Sequence, residues 1–205
     1  MFGDQFWLHS RLFFEVVVFK LEGDNKQLLV VPLYFPQVYD TSAQGLVCWN
    51  KPCVGWYKCN VDAAIFSLRS MISYGAVIRS AGGDFIAAKS DILHGRFEAH
   101  EAEAIGVREA LSWLKKFAFQ SVVLEMDSLQ VFNALHDKFV YPNGFGTIIA
   151  DCRALAQSLG EVTFSFVRRS TNSTAHTVAR VEGSMSGSGE WRHVPPPWLV
   201  VALSV

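Results

Sequence analysis

Between Tyr57 and Phe66 the chain alternates. Tyr57, Cys59, Val61, Ala63 and Ile65 fall on one face of an extended strand, and Lys58, Asn60, Asp62 and Ala64 on the other, because strand side chains alternate with period two. The alternation predicts a strand with Asp62 on its polar face, outside the core. The segment "ISYGAVIRS" (72–80) predicts a second strand, "AGGD" (81–84) a tight turn and "FIAAKSDIL" (85–93) a third, together an antiparallel meander. Period-two order then gives way to helical spacing. Ala102, Gly106, Ala110, Trp113, Leu114 and Phe117 make one apolar stripe on a helix expected from about Glu98 to Phe117.

"SVVLEM" (121–126) is a short continuous apolar run, as expected of a strand covered on both faces. "DSLQVFNALH" (127–136) opens a helix with Asp–Ser, and "YPNG" (141–144) breaks it. A further helix runs through Ile148, Ile149, Cys152, Leu155 and Leu159 to Gly160, followed by a strand at "VTFSFV" (162–167) and a short helix over 172–182. Strands separated by helices should lie parallel, so the order predicts an α/β fold with a mixed sheet flanked by helices. Residues 1–48 hold two candidate strands around the turn signal Gly23-Asp24-Asn25, then a connector, and suggest no role. The stretch "GSMSGSGE" (183–190) reads as a flexible linker before a C-terminal tail. The expected organisation is thus an N-terminal extension (1–48), a folded domain (49–182) and a linker with tail (183–205).

Composition narrows the classes. In 205 residues, half are hydrophobic and 18% charged, enough for a real core; a net charge of −1 argues against a protein that coats nucleic acid through bulk charge. Cys48, Cys53, Cys59 and Cys152 fit no zinc template, and reduced thiols are expected. The longest apolar runs, "LFFEVVVF" and "LLVVPLYF", are broken by Glu15 and Pro32 and fall short of the ~18 residues that mark a membrane span. With no recognisable secretion signal, an intracellular place in nucleus or cytoplasm is expected, with no membrane partner.

Two further carboxylates stand out besides Asp62. Glu103 borders the apolar stripe in the first turns of its helix, where the helix dipole favours an anion. Asp127 ends a buried run and opens a helix, at the carboxyl end of a strand where ligands of such sheets gather. A plain N-cap aspartate is the bland alternative for Asp127, and Glu125 is an alternative ligand if the strand persists. A cluster of carboxylates is costly unless cations bind it. Magnesium suits such a set, because it takes few carboxylates and accepts phosphate oxygens as well.

The motifs "GWYKCNVDAA", "EAEAIGVREAL", "LEMDSLQVFNAL" and "FVRRSTNSTAHTVAR" stand in the order of those of the plant ribonuclease H-like domain. This branch of the type 1 ribonuclease H superfamily is common in non-LTR retrotransposon reverse transcriptases. The resemblance covers roughly 49–182 and implies a five-stranded mixed sheet with flanking helices. It also implies that Asp62, Glu103 and Asp127 are catalytic, metal-binding acids for Mg²⁺ or Mn²⁺. His176 is implied at the fourth catalytic position, and Arg169, Asn172 and Ser128 are implied on the nucleic-acid side. The implied activity is two-metal hydrolysis of the RNA strand of an RNA–DNA hybrid, by a monomer.

Two departures stand against the pattern. Ala63 replaces the usual glycine after the first aspartate, and His176 replaces an aspartate. Neutral imidazole is a poor magnesium ligand, although proton transfer or product release is open to it. The alternative is therefore a catalytically weakened or inactive domain retained for nucleic-acid binding or protein interaction. An unrelated two-carboxylate hydrolase would need an aromatic-lined cleft, and no aromatic array in 60–180 argues for one.

Overall fold

The computed structural model describes residues 15–22, 25–32, 49–181 and 188–203. The chain divides into two compact units, Met1–Asp40 and Thr41–Val205. In the first, β1 (Glu15–Glu22) and β2 (Asn25–Pro32) pair antiparallel, with Glu22 opposite Asn25. Gly23 and Asp24 of the expected turn, and the connector after Pro32, lie outside the described residues, as does Cys48.

The second unit is built on β3 (Tyr57–Phe66), β4 (Met71–Arg79), β5 (Phe85–His94), β6 (Ser121–Met126), β7 (Glu161–Phe166) and β8 (Gly189–Arg192). Its helices are α1 (Ala99–Leu114), α2 (Leu129–His136), α3 (Gly144–Gln157), α4 (Ser173–Val181) and α5 (Pro197–Leu203). The strands lie in the order β7-β6-β3-β4-β5-β8. β3, β4 and β5 form the antiparallel meander, whereas β6 runs parallel to both β3 and β7.

The sheet has six strands and not the expected five. The sixth, β8, comes from the tail: Gly189–Arg192 pairs antiparallel with Ser90 to Ala87 of β5. A four-residue strand behind a Gly/Ser-rich stretch is too short to register as periodicity. It gains its order from the free edge of β5, whose unpaired backbone groups need a partner. α5 follows and buries Leu199 against Val77, Ala88 and Val178.

The two faces of β3 are covered differently. Cys59 and Val61 join Ala76, Ile78 and the α1 residues Ala104, Val107, Ala110, Leu111 and Leu114 in the main core. The opposite face, which carries Asn60 and Asp62, lies under α4. Gly75, paired with Asp62, makes that approach possible: a Cβ there would run into the backbone of Ala175, Val178 and Ala179. The expected exposed polar face is therefore buried, with Asn60 0% and Asp62 3% exposed. Alternation shows which side chains share a face; it does not show whether a later helix covers that face. Cys53, Cys59 and Cys152 are free thiols, and no described helix is long and apolar enough to cross a membrane.

Gly75→Ala should cost roughly 1–3 kcal/mol of stability, the usual scale of overpacking against atoms that cannot yield. Denaturant unfolding of the purified variant measures it; an unchanged midpoint would mean that α4 does not rest on β4 this tightly.

Candidate metal centre

The last parallel pair between β3 and β6 is Asn60 with Glu125. Asp62 and Asp127 each lie two residues beyond it: Asp62 within β3, where that strand runs on paired with β4 alone, and Asp127 just past the carboxyl end of β6, where the sheet opens and α2 begins. Ser128, and not Asp127, caps α2: its Oγ accepts from the Val131 N–H at 3.4 Å. The Asp127 carboxylate is thus left to the cleft. On α1, Glu98 and Glu101 make a capping box that fixes the helix start, and Glu103 follows in the next turn. Gly106 packs its open face on Tyr74 and the Asp62 backbone and brings α1 close to β3.

Asp62, Glu103 and Asp127 each offer a carboxylate oxygen within 4.8 Å of the others. Asp62 is buried, while the other two are half-buried in a cleft of about 450 Å³ that Arg169, Arg180 and His100 also line. Burial, with the Asp62 and Asp127 charges beside it, pushes the Glu103 carboxyl up to about 9. Burial and Asp127 also raise Asp62, offset in part by the hydrogen bond from His176. Three hard oxygen donors that repel one another in the absence of a cation are a fit set for Mg²⁺ or Mn²⁺.

His176, on α4, lies beside this set. Its Nδ1 is 2.6 Å from Asp62 Oδ2, and Arg180 Nε lies 2.9 Å from its Nε2. Arg180 can only donate, so Nε2 accepts, and the ring proton sits on Nδ1 and is donated to Asp62. Arg169 Nη2 is 3.5 Å from the same Nε2. Asn172, fully buried just before α4, donates to Val61 O at 2.8 Å and to Asp127 Oδ1 at 3.2 Å. Its side chain faces the site from within the protein, so it holds Asp127 and Val61 and does not line the groove.

Glu125, the alternative ligand, is turned away from the cleft. It pairs with Lys58 Nζ at 2.6 Å and accepts from Asn60 Nδ2 at 2.8 Å. Ala63 fits without its glycine: its methyl packs with Ile72, Ala102 and Ile105. Arg180 was not singled out from the sequence, although its i+4 spacing from His176 on one helix face was the available signal.

Solved structures share this architecture. RNase H1 from the halophilic archaeon Halobacterium salinarum NRC-1 matches with a TM-score of 0.58 at 22% identity, over 63% of this chain and 98% of its own. LC11-RNase H1, solved in complex with an RNA/DNA hybrid, matches with a TM-score of 0.56 at 17% identity, over 63% and 99%. The fold is therefore ribonuclease H-like. Residues 60–181 match the family described as "Reverse transcriptase-like", and the chain belongs to that family. A protein of Arabidopsis thaliana named "Putative ribonuclease H protein" is 30% identical over 143 residues, 69% of this chain and 23% of its own length. This chain thus spans less than a quarter of that relative.

Stability of the metal-free protein should fall as pH rises from about 4.5, the ordinary value for this carboxyl, to about 9. The sign follows from linkage: in that window folded Glu103 keeps a proton that the unfolded chain has released. Thermal melts in a chelator should show this decline and a flatter profile for Glu103→Gln. Identical profiles for the two proteins would contradict the crowding of charge at Glu103.

Proposed function

We propose that the domain hydrolyses the RNA strand of an RNA–DNA hybrid, with Asp62, Glu103 and Asp127 holding divalent metal. The observation that carries this reading is the meeting of the three carboxylates within 4.8 Å, in a cleft rimmed by arginines. Bound Mg²⁺ or Mn²⁺ supplies an activated water and neutralises charge on the phosphodiester.

The chain's own groups do the rest. Asp62 within β3 and Asp127 at the end of β6 would hold the metal against which the reacting phosphate is set. Glu103 reaches in from α1 and engages the 2′-hydroxyl beside the cut, the group that distinguishes RNA from DNA. Arg169 and Arg180, both exposed at the cleft, meet backbone phosphates, with Ser128 at the mouth; local cations such as these make binding salt-dependent despite a net charge of −1. His176 holds Asp62 through Nδ1–H and is placed to pass a proton when that contact opens.

A second reading, a nucleic-acid-binding domain with weakened catalysis, is favoured by the same histidine. Its ring occupies Asp62 Oδ2 and offers nitrogen where a hard oxygen would bind magnesium better.

Cleavage of a labelled hybrid separates the two. The first reading expects Mg²⁺- or Mn²⁺-dependent cutting of the RNA strand, reduced to background by Asp62→Asn. His176→Asp should raise the Mg²⁺-supported rate above that of the parent and lower the melting temperature of the metal-free protein, since it adds a charge to the cluster. Salt-sensitive hybrid binding with no cutting by either the parent or His176→Asp would favour the second reading.

A further inference from the structure

Beneath the carboxylates, on the same face of the sheet, lies a second polar cluster that the reaction does not use. Lys58, Asn60, Arg79, Glu125 and Asn172 are all buried, with Arg79 1% and Asn60 and Asn172 0% exposed. Two cations and one carboxylate are thus withdrawn from water together, and the Lys58–Glu125 pair at 2.6 Å accounts for one of each. Arg79 is left over. Its Nε finds no hydrogen-bond partner among the described residues, and its guanidinium lies 3.5 Å from the centre of the Trp49 ring. Apolar residues of similar volume would fill this space at less cost.

One line of hydrogen bonds through the cluster runs towards the cleft, while Asn60 Nδ2 also donates off that line to Glu125 Oε2 at 2.8 Å. Arg79 Nη2 donates to Asn60 Oδ1 at 3.0 Å, and Trp49 Nε1 donates to the same oxygen at 3.0 Å. Both of these groups can only donate, so the orientation of the Asn60 amide is fixed. Asn60 Nδ2 donates onward to Asn172 Oδ1 at 3.2 Å, and Asn172 Nδ2 donates to Asp127 Oδ1 at 3.2 Å. Each link of the Arg79–Asn60–Asn172–Asp127 line carries its hydrogen towards the cleft, from a buried guanidinium to a carboxylate. In such a chain each bond polarises the next.

We infer that Trp49, Arg79 and Asn60 are positioning residues: with Asn172 they form a buried relay that holds Asp127 in place for metal binding. The inference rests on the metal-site reading of Asp127. The relay assigns a task to the polar face of β3, and to Trp49, which lies outside the 60–181 segment matched by the family. Trp49 closes the outer end, stacking on Arg79 and donating to Asn60 at once. Asn172 is the junction, since it also ties Val61 of the central strand to the loop before α4.

The test uses the full chain, with Mn²⁺ titrated calorimetrically and the Asn172 side-chain amide followed by NMR in the metal-free protein. Asn60→Leu removes both halves of the central link while keeping the number and branching of side-chain heavy atoms. Its Mn²⁺ affinity should fall by about 10- to 100-fold, the usual scale for a residue that orients a ligand, and the Asn172 amide signals should move. Trp49→Phe keeps the ring over Arg79 but loses the donor, and should give a smaller loss in the same direction. It serves where Asn60→Leu does not fold. Leu155→Ala, a core truncation on α3, should lose stability but keep Mn²⁺ affinity, which sets a positioning role apart from general loosening. Folded Asn60→Leu or Trp49→Phe with the affinity and Asn172 signals of the parent would overturn the relay. If the parent bound no Mn²⁺, the metal reading would fall, and the Asn172 signals alone would decide whether the relay exists.

Discussion

Like charge in a small space is the constraint around which this domain is arranged. Asp62, Glu103 and Asp127 bring carboxylate oxygens within 4.8 Å of one another, and the burial of Asp62 and partial burial of the other two limit the water that would soften their repulsion. The surroundings answer each in turn. His176, its tautomer set by Arg180, donates to Asp62; Asn172 donates to Asp127; Glu103 retains a proton to about 9. The same features that make the metal-free cluster costly make it ready for a divalent cation.

The sheet serves that cluster through its two unlike faces. One face of β3 is ordinary core, with Cys59 and Val61 packed under α1. The other carries Lys58, Asn60 and Asp62 under α4, whose close approach depends on the missing side chain of Gly75. Since α4 carries His176 and Arg180 and begins just after Asn172, its seating on β4 sets both the cover over Asp62 and the groups that touch it. Packing and chemistry are therefore coupled at one helix.

Much of this was legible in the chain. Strong periodicity located β3 to β7 and α1 to α4, and the placement of Asp62 on a central strand, Glu103 in a helix's first turns and Asp127 at a strand's end marked them for one site. What was hidden depended on contacts distant in sequence. Asp62 looked like a residue of an open polar face because α4, which buries it, lies more than a hundred residues away. Glu125 looked like a ligand because alternation places it on the side of Asp127, but Lys58 and Asn60 claim it. β8 gave no periodic signal and owes its order to the edge of β5. Arg180 was visible only as a helix-surface cation until the position of His176 Nε2 gave it a partner.

Mg²⁺ titration of the full chain near neutral pH, by calorimetry in two buffers of different ionisation enthalpy, tests the central claim most directly. Glu103 holds its proton at that pH in the metal-free cluster, and a cation that binds the carboxylate must displace it. The account predicts release of about one proton per binding event at this site, lost in Glu103→Gln. Mg²⁺ binding with no proton release, or release that survives in Glu103→Gln, would contradict it.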